Sequence, residues 1–489
     1  MASCAWGEKN MSPRAPMRAH TRDRSIASQV RDLIDRFAAA TPARFAIAIF
    51  SALVIVLTTL LVLPISARDG QSTPLVDALF TAVSAICVTG LTTVDMATHW
   101  SAFGNTAILI GLQVGGIGVL TLASMLGLIV SRRLGLRQRL IAASDSNPSR
   151  IHVGPVSESQ AIRLGEIGGL LATVAISALA IELVLSLAII PRLLVEGLDV
   201  WPAIWQGFYF AASAFTNTGF VPAVSGMEAF AQDPWMLSAI GTGVFLGSLG
   251  FPVIFAVVRK LKAGARLSVH ARLTITTTIL LIVAGAIAVM VLEWNNSNTI
   301  GDQSLLSRPM TATFLSTMTR SGGFSTIDIN ELNGSTLLVF DMLMFVGGGS
   351  ASTAGGIKVT TLAVLFLAAL AEARGDNDMH AFDRRIPTDV LRLAVSVTLW
   401  GATIVAISTI AILQITKEPL DRVLFDVISA FATCGLSTGL TESLPDSGKY
   451  ILAATMWAGR VGTVTLAAAL AASQRRQLFT RAEERPIVG

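Results

Sequence analysis

The chain has 489 residues, of which 52% are hydrophobic and 14% charged, with a formal net charge of +4. Soluble domains carry about 25% charged residues, so an ordinary cytosolic enzyme is excluded and a polytopic membrane domain is expected. Three cysteines (Cys4, Cys87, Cys434) and five histidines without ligand spacing offer no disulfide framework and no metal site. The scattered basic residues give no support to nucleic-acid binding.

In chain order, a polar segment (1–44) comes first, in which Ile26, Val30, Leu33, Ile34 and Phe37 share one helical face. It reads as a helix on the membrane surface, as a helix against a partner, or as a solvated lead-in to the first span. Eight apolar stretches long enough to span follow, near 45–66, 104–131, 166–191, 236–258, 271–293, 337–371, 390–414 and 450–473. The first has no small-residue cleavage site after a short apolar core and reads as an uncleaved span. Of the 36 lysines and arginines, 27 lie before the first span, in alternate loops or after 473. Six lie in the opposite loops and three (Arg320, Lys358, Arg460) inside apolar segments. Both termini are therefore expected in the cytoplasm, with the tail at 474–489.

Between spans lie four half-length apolar segments that align without gaps: ALFTAVSAICVTGL (78–91), GFYFAASAFTNTGF (207–220), TATFLSTMTRSGGF (311–324) and VLFDVISAFATCGL (423–436). Ser84, Ser213, Thr317 and Ser429 share one column, and Gly90, Gly219, Gly323 and Gly435 another. A second register follows 24 to 28 residues later, at Gly115–Gly118, Gly247–Gly250, Gly347–Ser350 and Gly459–Gly462. The expected fold is all-α, with eight transmembrane helices and four re-entrant pore loops in pseudo-fourfold arrangement. Its repeats span 45–131, 166–258, 271–371 and 390–473.

Irregular backbone at membrane depth is tolerated only where protein buries it or where it lines a watery cavity. Each short helix would aim its partially negative C-terminus inward, favouring a cation, and carbonyl rings of this kind replace the hydration shell of potassium. The expected ion-lining residues are Cys87, Val88, Thr89, Gly90, then Thr216, Asn217, Thr218, Gly219, then Arg320, Ser321, Gly322, Gly323, and last Ala432, Thr433, Cys434, Gly435. Arg320 has the wrong sign for a cation path and is expected to point behind the filter to a carboxylate.

The motifs ICVTGLTT, LQVGGIGVLT, ASAFTNTGF, TRSGGFST, MFVGGGSASTAGGIKV, SAFATCGLSTG and MWAGRVGTVTL, over residues 45–473, resemble the Trk/Ktr/HKT superfamily of potassium transporters. Lacking two extra N-terminal helices, the chain is most similar to the Ktr type. The resemblance implies potassium uptake across the cell membrane, with Gly90 placing the chain in the potassium rather than the sodium class. It implies no enzymatic activity and no covalent cofactor, K+ as transported ion, and possible Na+ dependence. It also implies a homodimer in the bilayer, served by a separate RCK-type nucleotide-binding regulatory subunit. No GxGxxG fingerprint occurs in the chain itself.

The sixth stretch is interrupted by GGGSASTAGGIK (347–358), too rich in glycine for a continuous helix. It fails the GxxxxGK[ST] pattern, and the resemblance makes it an intramembrane gate: Gly347, Gly348, Gly349, Ser350, Thr353, Gly355, Gly356 and Lys358. Lys358 is expected to end the loop on backbone carbonyls. Arg460 replaces small residues of its repeat column, and an intramembrane arginine is costly enough to suggest a role in the barrier. Glu182 and Asp341 read as structural charges. A sodium- or proton-coupled symporter of the same fold is the alternative function.

Overall fold

The structure, a computed structural model, describes residues 42–133, 164–223 and 226–462. The amphipathic face at 26–37, the tail at 474–489 and much of the 132–165 loop lie outside the described residues. Apart from one short hairpin the described chain is helical: α1 Pro42–Val62, α2 Leu75–Cys87, α3 Ala102–Arg133, α4 Leu164–Val195 and α5 Val200–Phe215. Then come α6 Pro234–Leu249, α7 Phe251–Ala263, α8 Val269–Leu292, α9 Ser307–Met318, α10 Gly334–Phe345 and α11 Val359–Arg374. The antiparallel strands β1 Met379–Ala381 and β2 Arg384–Ile386 lead into α12 Thr388–Ile415, α13 Leu420–Ala432, α14 Leu440–Ser443 and α15 Asp446–Trp457.

Among the described residues, three helical segments are long and apolar enough to cross a membrane, Ala172–Val195, Val269–Leu292 and Thr388–Ile415. The apolar segments Ile47–Val62, Ala102–Gly118 and Gly334–Phe345 are shorter. The stretch at 236–258 is not one straight span. It breaks at Gly250, and α6 and α7 meet at 102°. Gly250 has φ +85°, and a Cβ there would stand 2.8 Å from the Ala351 carbonyl oxygen, so a side chain could not follow this path beside the 347–358 loop. Pro252 then starts α7, where its missing N–H costs no helical bond.

The short helices α2, α5, α9 and α13 are enclosed. α2 packs on α1, α3 and α15; α5 on α4 and α6; α9 on α8 and α6; α13 on α10, α12 and α15. From Phe80 to Cys87, from Tyr209 to Phe215 and from Phe425 to Ala432 every residue is buried. Small residues (Ala82, Ala85, Ala211, Ala212, Ala214, Ala430) on these helices let backbones approach closely, the usual basis of helix association in lipid. The contact of α2 with α15 brings the first and last repeats side by side, and Lys449 Nζ donates to Asp77 Oδ1 at 2.7 Å across that seam.

Candidate functional site

The loops after the four short helices turn in the same way. Two residues before each column glycine, Val88, Asn217, Ser321 and Thr433 adopt left-handed backbone, with φ of 57°, 60°, 69° and 48°. Such dihedrals cost a non-glycine residue energy and persist only where surroundings impose them. Here the imposing contacts are hydrogen bonds back to the helix. Thr89 N, Thr218 N and Cys434 N each donate at 2.8 Å to the carbonyls of Ser84, Ser213 and Ser429. The Ser84 and Ser429 hydroxyls also accept from Gly90 N (3.0 Å) and Gly435 N (3.1 Å), so in loops one and four the serine itself fixes the column glycine.

The glycines themselves, with φ of 93°, 83°, 73° and 95°, face one another. A Cβ on Gly90 would lie 1.8 Å from Thr218 O; on Gly219, 2.7 Å from Gly323 Cα; on Gly323, 2.7 Å from Cys434 O; on Gly435, 2.3 Å from Thr89 O. The contacts run from loop one to two, two to three, three to four and four back to one. They close a ring in chain order. Each glycine is half-buried, whereas its sequence neighbours Thr89 and Leu91, Thr218 and Phe220, Gly322 and Phe324, Cys434 and Leu436 are buried.

On one side the ring opens into a cavity of about 490 Å³ lined by Gly90, Gly323 and Gly435, with exposed Glu228, Asp328 and Glu442 at its wall. These three carboxylates were not singled out from the sequence. They lie in the connections that follow three of the ring glycines, Glu442 within α14, and their convergence on the ring is a tertiary fact at which only that position after a glycine hints. Asp426, also not singled out, is buried in α13 and accepts from Ser437 (2.8 Å), Thr438 N (2.9 Å) and Thr441 (2.8 Å), pinning the fourth loop.

On the other side lies the segment 347–358, nearly all buried. Phe345 accepts from Ile357 N at 3.3 Å and Gly348 O from Val359 N at 3.0 Å, so the chain folds back on itself between α10 and α11. Gly347, Gly348 and Gly349 fit against Gly355 O, Ser248 O and Leu249 O, with an added Cβ only 2.0, 2.7 and 2.6 Å away. Gly355 stands against Thr433 and Gly356 against Ala432, while Ser350 contacts Thr360 Oγ1 at 3.0 Å.

This segment is joined to three of the four loops. Thr353 Oγ1 donates to Asn217 Oδ1 at 2.8 Å, and Thr353 N to Gly247 O at 3.3 Å. Ser321 Oγ lies 2.9 Å from the carbonyls of Ala432 and Thr433 and accepts from Gly355 N at 3.2 Å. Lys358 Nζ donates to Ala354 O at 2.6 Å. The buried Arg460 donates to the Thr353 carbonyl, reaching the loop from the turn Ala458–Gly462.

Arg320 is buried, but the group it donates to is the carbonyl of Leu343 at the end of α10 and not a carboxylate. Among the described residues no ion pair involves it. A helix that stops at Phe345 leaves its last carbonyls without helical partners, and a guanidinium meets that need as well as a carboxylate's. Glu182, on α4, accepts from Gln113 of α3. No group of three or more potential metal ligands of the His, Cys, Asp and Glu types occurs among the described residues.

Comparison with known proteins agrees with this architecture. The chain is 34% identical over 416 residues to Ktr system potassium uptake protein B of Vibrio alginolyticus, covering 84% of this chain and 87% of that protein. It is 30% identical over 449 residues to the Ktr system potassium uptake protein B of Bacillus subtilis, covering 92% of this chain and 97% of that protein. The Potassium/sodium uptake protein NtpJ of Enterococcus hirae is 29% identical over 451 residues, covering 89% and 94%. The crystal structure of the potassium transporter TrkH from Vibrio parahaemolyticus superimposes with a TM-score of 0.64 at 16% identity, over 93% of this chain and 86% of that one, a likeness of fold. The family model described as TrkH, cation transport protein, matches residues 34–477, a transporter family rather than an enzyme family. This chain is an integral membrane protein of the TrkH cation transport family, a membrane subunit of the Trk/Ktr superfamily.

Proposed function

We propose that the chain takes up potassium across the cell membrane through the ring built by its four glycine loops. The observation that carries this reading is the mutual contact of Gly90, Gly219, Gly323 and Gly435 around one opening, flanked by carbonyls and by the C-termini of four short helices. Residues 87–90, 216–219, 320–323 and 432–435 form the filter, with backbone oxygens replacing ion hydration. Repeats 45–131, 166–258, 271–371 and 390–473 supply eight spans, and both termini face the cytoplasm. Transport needs no covalent chemistry, since a negative-inside potential contributes about 2.3 kcal/mol per charge per 100 mV.

Segment 347–358 is the gate. Its buried bonds to Asn217, Ser321 and Arg460 hold it across the path below the ring, and Arg460 adds a positive charge to that barrier. A homodimer with a separate nucleotide-binding regulatory subunit completes the system, as the Ktr-type resemblance implies. A sodium-coupled reading is favoured by one finding, the Potassium/sodium name of the Enterococcus hirae relative.

The test is rubidium uptake and growth at limiting potassium in a bacterial strain stripped of its own potassium uptake systems, with and without an RCK-type partner and with Gly90→Ser. Rescue that weakens or turns sodium-leaky in the variant is expected. Absence of uptake in every condition, with the chain present in the membrane, overturns potassium as the transported ion.

A further inference from the structure

A cleft of about 920 Å³ lies away from the ring, between α7, the start of α8 and the β1–β2 turn. Its lining is strongly basic. Arg259 comes from α7, Arg266 from the connection to α8, Arg272 from α8, and Arg384 and Arg385 from the hairpin. Asp383 is the one carboxylate in the lining. Arg385 is paired with Asp378 at 2.9 Å and Arg272 stacks over the Phe382 ring at 5.7 Å. Among the described residues, Arg259, Arg266 and Arg384 make no side-chain hydrogen bond or ion pair. The rule that cytoplasmic loops retain arginine accounts for their side of the membrane. It does not account for their convergence from four separate segments on one cavity.

Two further features select the ligand. The 24-residue helix α8 begins in the cleft, with Ser268 Oγ accepting from Ala271 N at 3.2 Å, so the positive end of its dipole faces the arginines' space. Arginine forks and helix N-termini both suit phosphate oxygens. Beside them, α7 leaves Val258 39% and Leu261 80% exposed, and Pro252, Phe255 and Ala256 line the cleft itself. A soluble anion has no use for that apolar face, whereas an acyl chain does.

We propose that this cleft binds a phosphate ester, the headgroup of an anionic phospholipid of the inner leaflet whose acyl chains lie along α7. The inference rests on the orientation given under the proposed function. It is tested by binding, so its failure leaves the uptake measurement untouched.

The full-length chain in neutral detergent is titrated with phosphatidylglycerol, with phosphatidylcholine, and with soluble glycerol phosphate, and retained adducts are counted by native mass spectrometry. The variant Arg259→Gln/Arg266→Gln/Arg384→Gln is compared with a charge-matched control, Lys260→Gln/Lys262→Gln/Arg374→Gln. Retention of phosphatidylglycerol over phosphatidylcholine, reduced about tenfold in the first variant and kept in the control, is the expected result. Retention of glycerol phosphate with the same variant dependence, and no preference among lipids, assigns the cleft to a soluble phosphate and overturns the lipid. Equal binding by wild type and variant, or no binding of either probe by the wild type, overturns the site. Should the triple variant aggregate, the exposed single changes Arg266→Gln and Arg384→Gln carry the same comparison.

Discussion

Directly around the ring, repeats one, two and four are built alike, and repeat three is not. In the three alike, the first glycine of the second register, Gly115, Gly247 or Gly459, lies against the carbonyl of Ile86, Phe215 or Phe431, with room for no Cβ (2.2, 2.1 and 1.9 Å). Their serine carbonyls accept from the residue before the column glycine. In repeat three Gly322 N instead reaches Met318 O at 2.7 Å, Gly347 packs on Gly355, and the helix ends at Phe345 to let 347–358 enter. Yet Gly323 keeps its φ and its place in the ring. The fourfold relation is thus held at the glycines and given up one layer below. There Arg320 and Ser321 take over support that the other repeats obtain from close helix packing.

The most damaging way to break this arrangement is at the shared layer. Gly90→Ala puts a methyl 1.8 Å from Thr218 O at a φ of +93°, and rubidium uptake should fall by at least about tenfold with normal membrane expression. Arg460→Ala acts only on the layer below. It removes a buried charged donor to Thr353 O, an interaction worth about 1.5–3 kcal/mol, so basal rubidium efflux from proteoliposomes should rise about tenfold. Unchanged efflux would remove Arg460 from the barrier.

Ser321→Ala sharpens the contrast between repeat three and the rest. It leaves Gly355 N and the carbonyls of Ala432 and Thr433 without their shared hydroxyl, at a cost of about 1–3 kcal/mol. Ser84→Ala, which loses a single bond to Gly90 N, should lower thermal stability less. Neutralising Glu228, Asp328 and Glu442 together should raise the rubidium KM about threefold at low ionic strength and little at high salt, because exposed charges act by a screened field. The smallest effect is expected for Lys449→Gln, because the amide can still donate to Asp77 across this largely buried pair and only a charge-assisted bond is exchanged for a neutral one, a loss of about 1 kcal/mol in a melting experiment.

The ungapped alignment of 78–91, 207–220, 311–324 and 423–436 made the ring's residues readable from the chain, since serine and glycine columns record local backbone demands. The break at Gly250 was only partly readable. Gly250 and Pro252 are breaker residues, but apolar composition continues on either side of them, and the 347–358 loop packed against Gly250 lies a hundred residues away. Arg320's carbonyl partner was hidden for a similar reason, because a helix end offers acceptors that no side chain announces. The β1–β2 hairpin, three residues to a strand, has too little pattern to register.

The closure of the ring by the first and last repeats, through Gly435 against Thr89 and Asp77 against Lys449, has an evolutionary side. In a pore assembled from four identical subunits, one codon change appears at four places at once. Here each quarter is inherited separately. Repeat two was free to bend at Gly250, repeat three to surrender its straight helix to a loop and repeat four to gain Arg460, while all four kept the glycine that holds the opening.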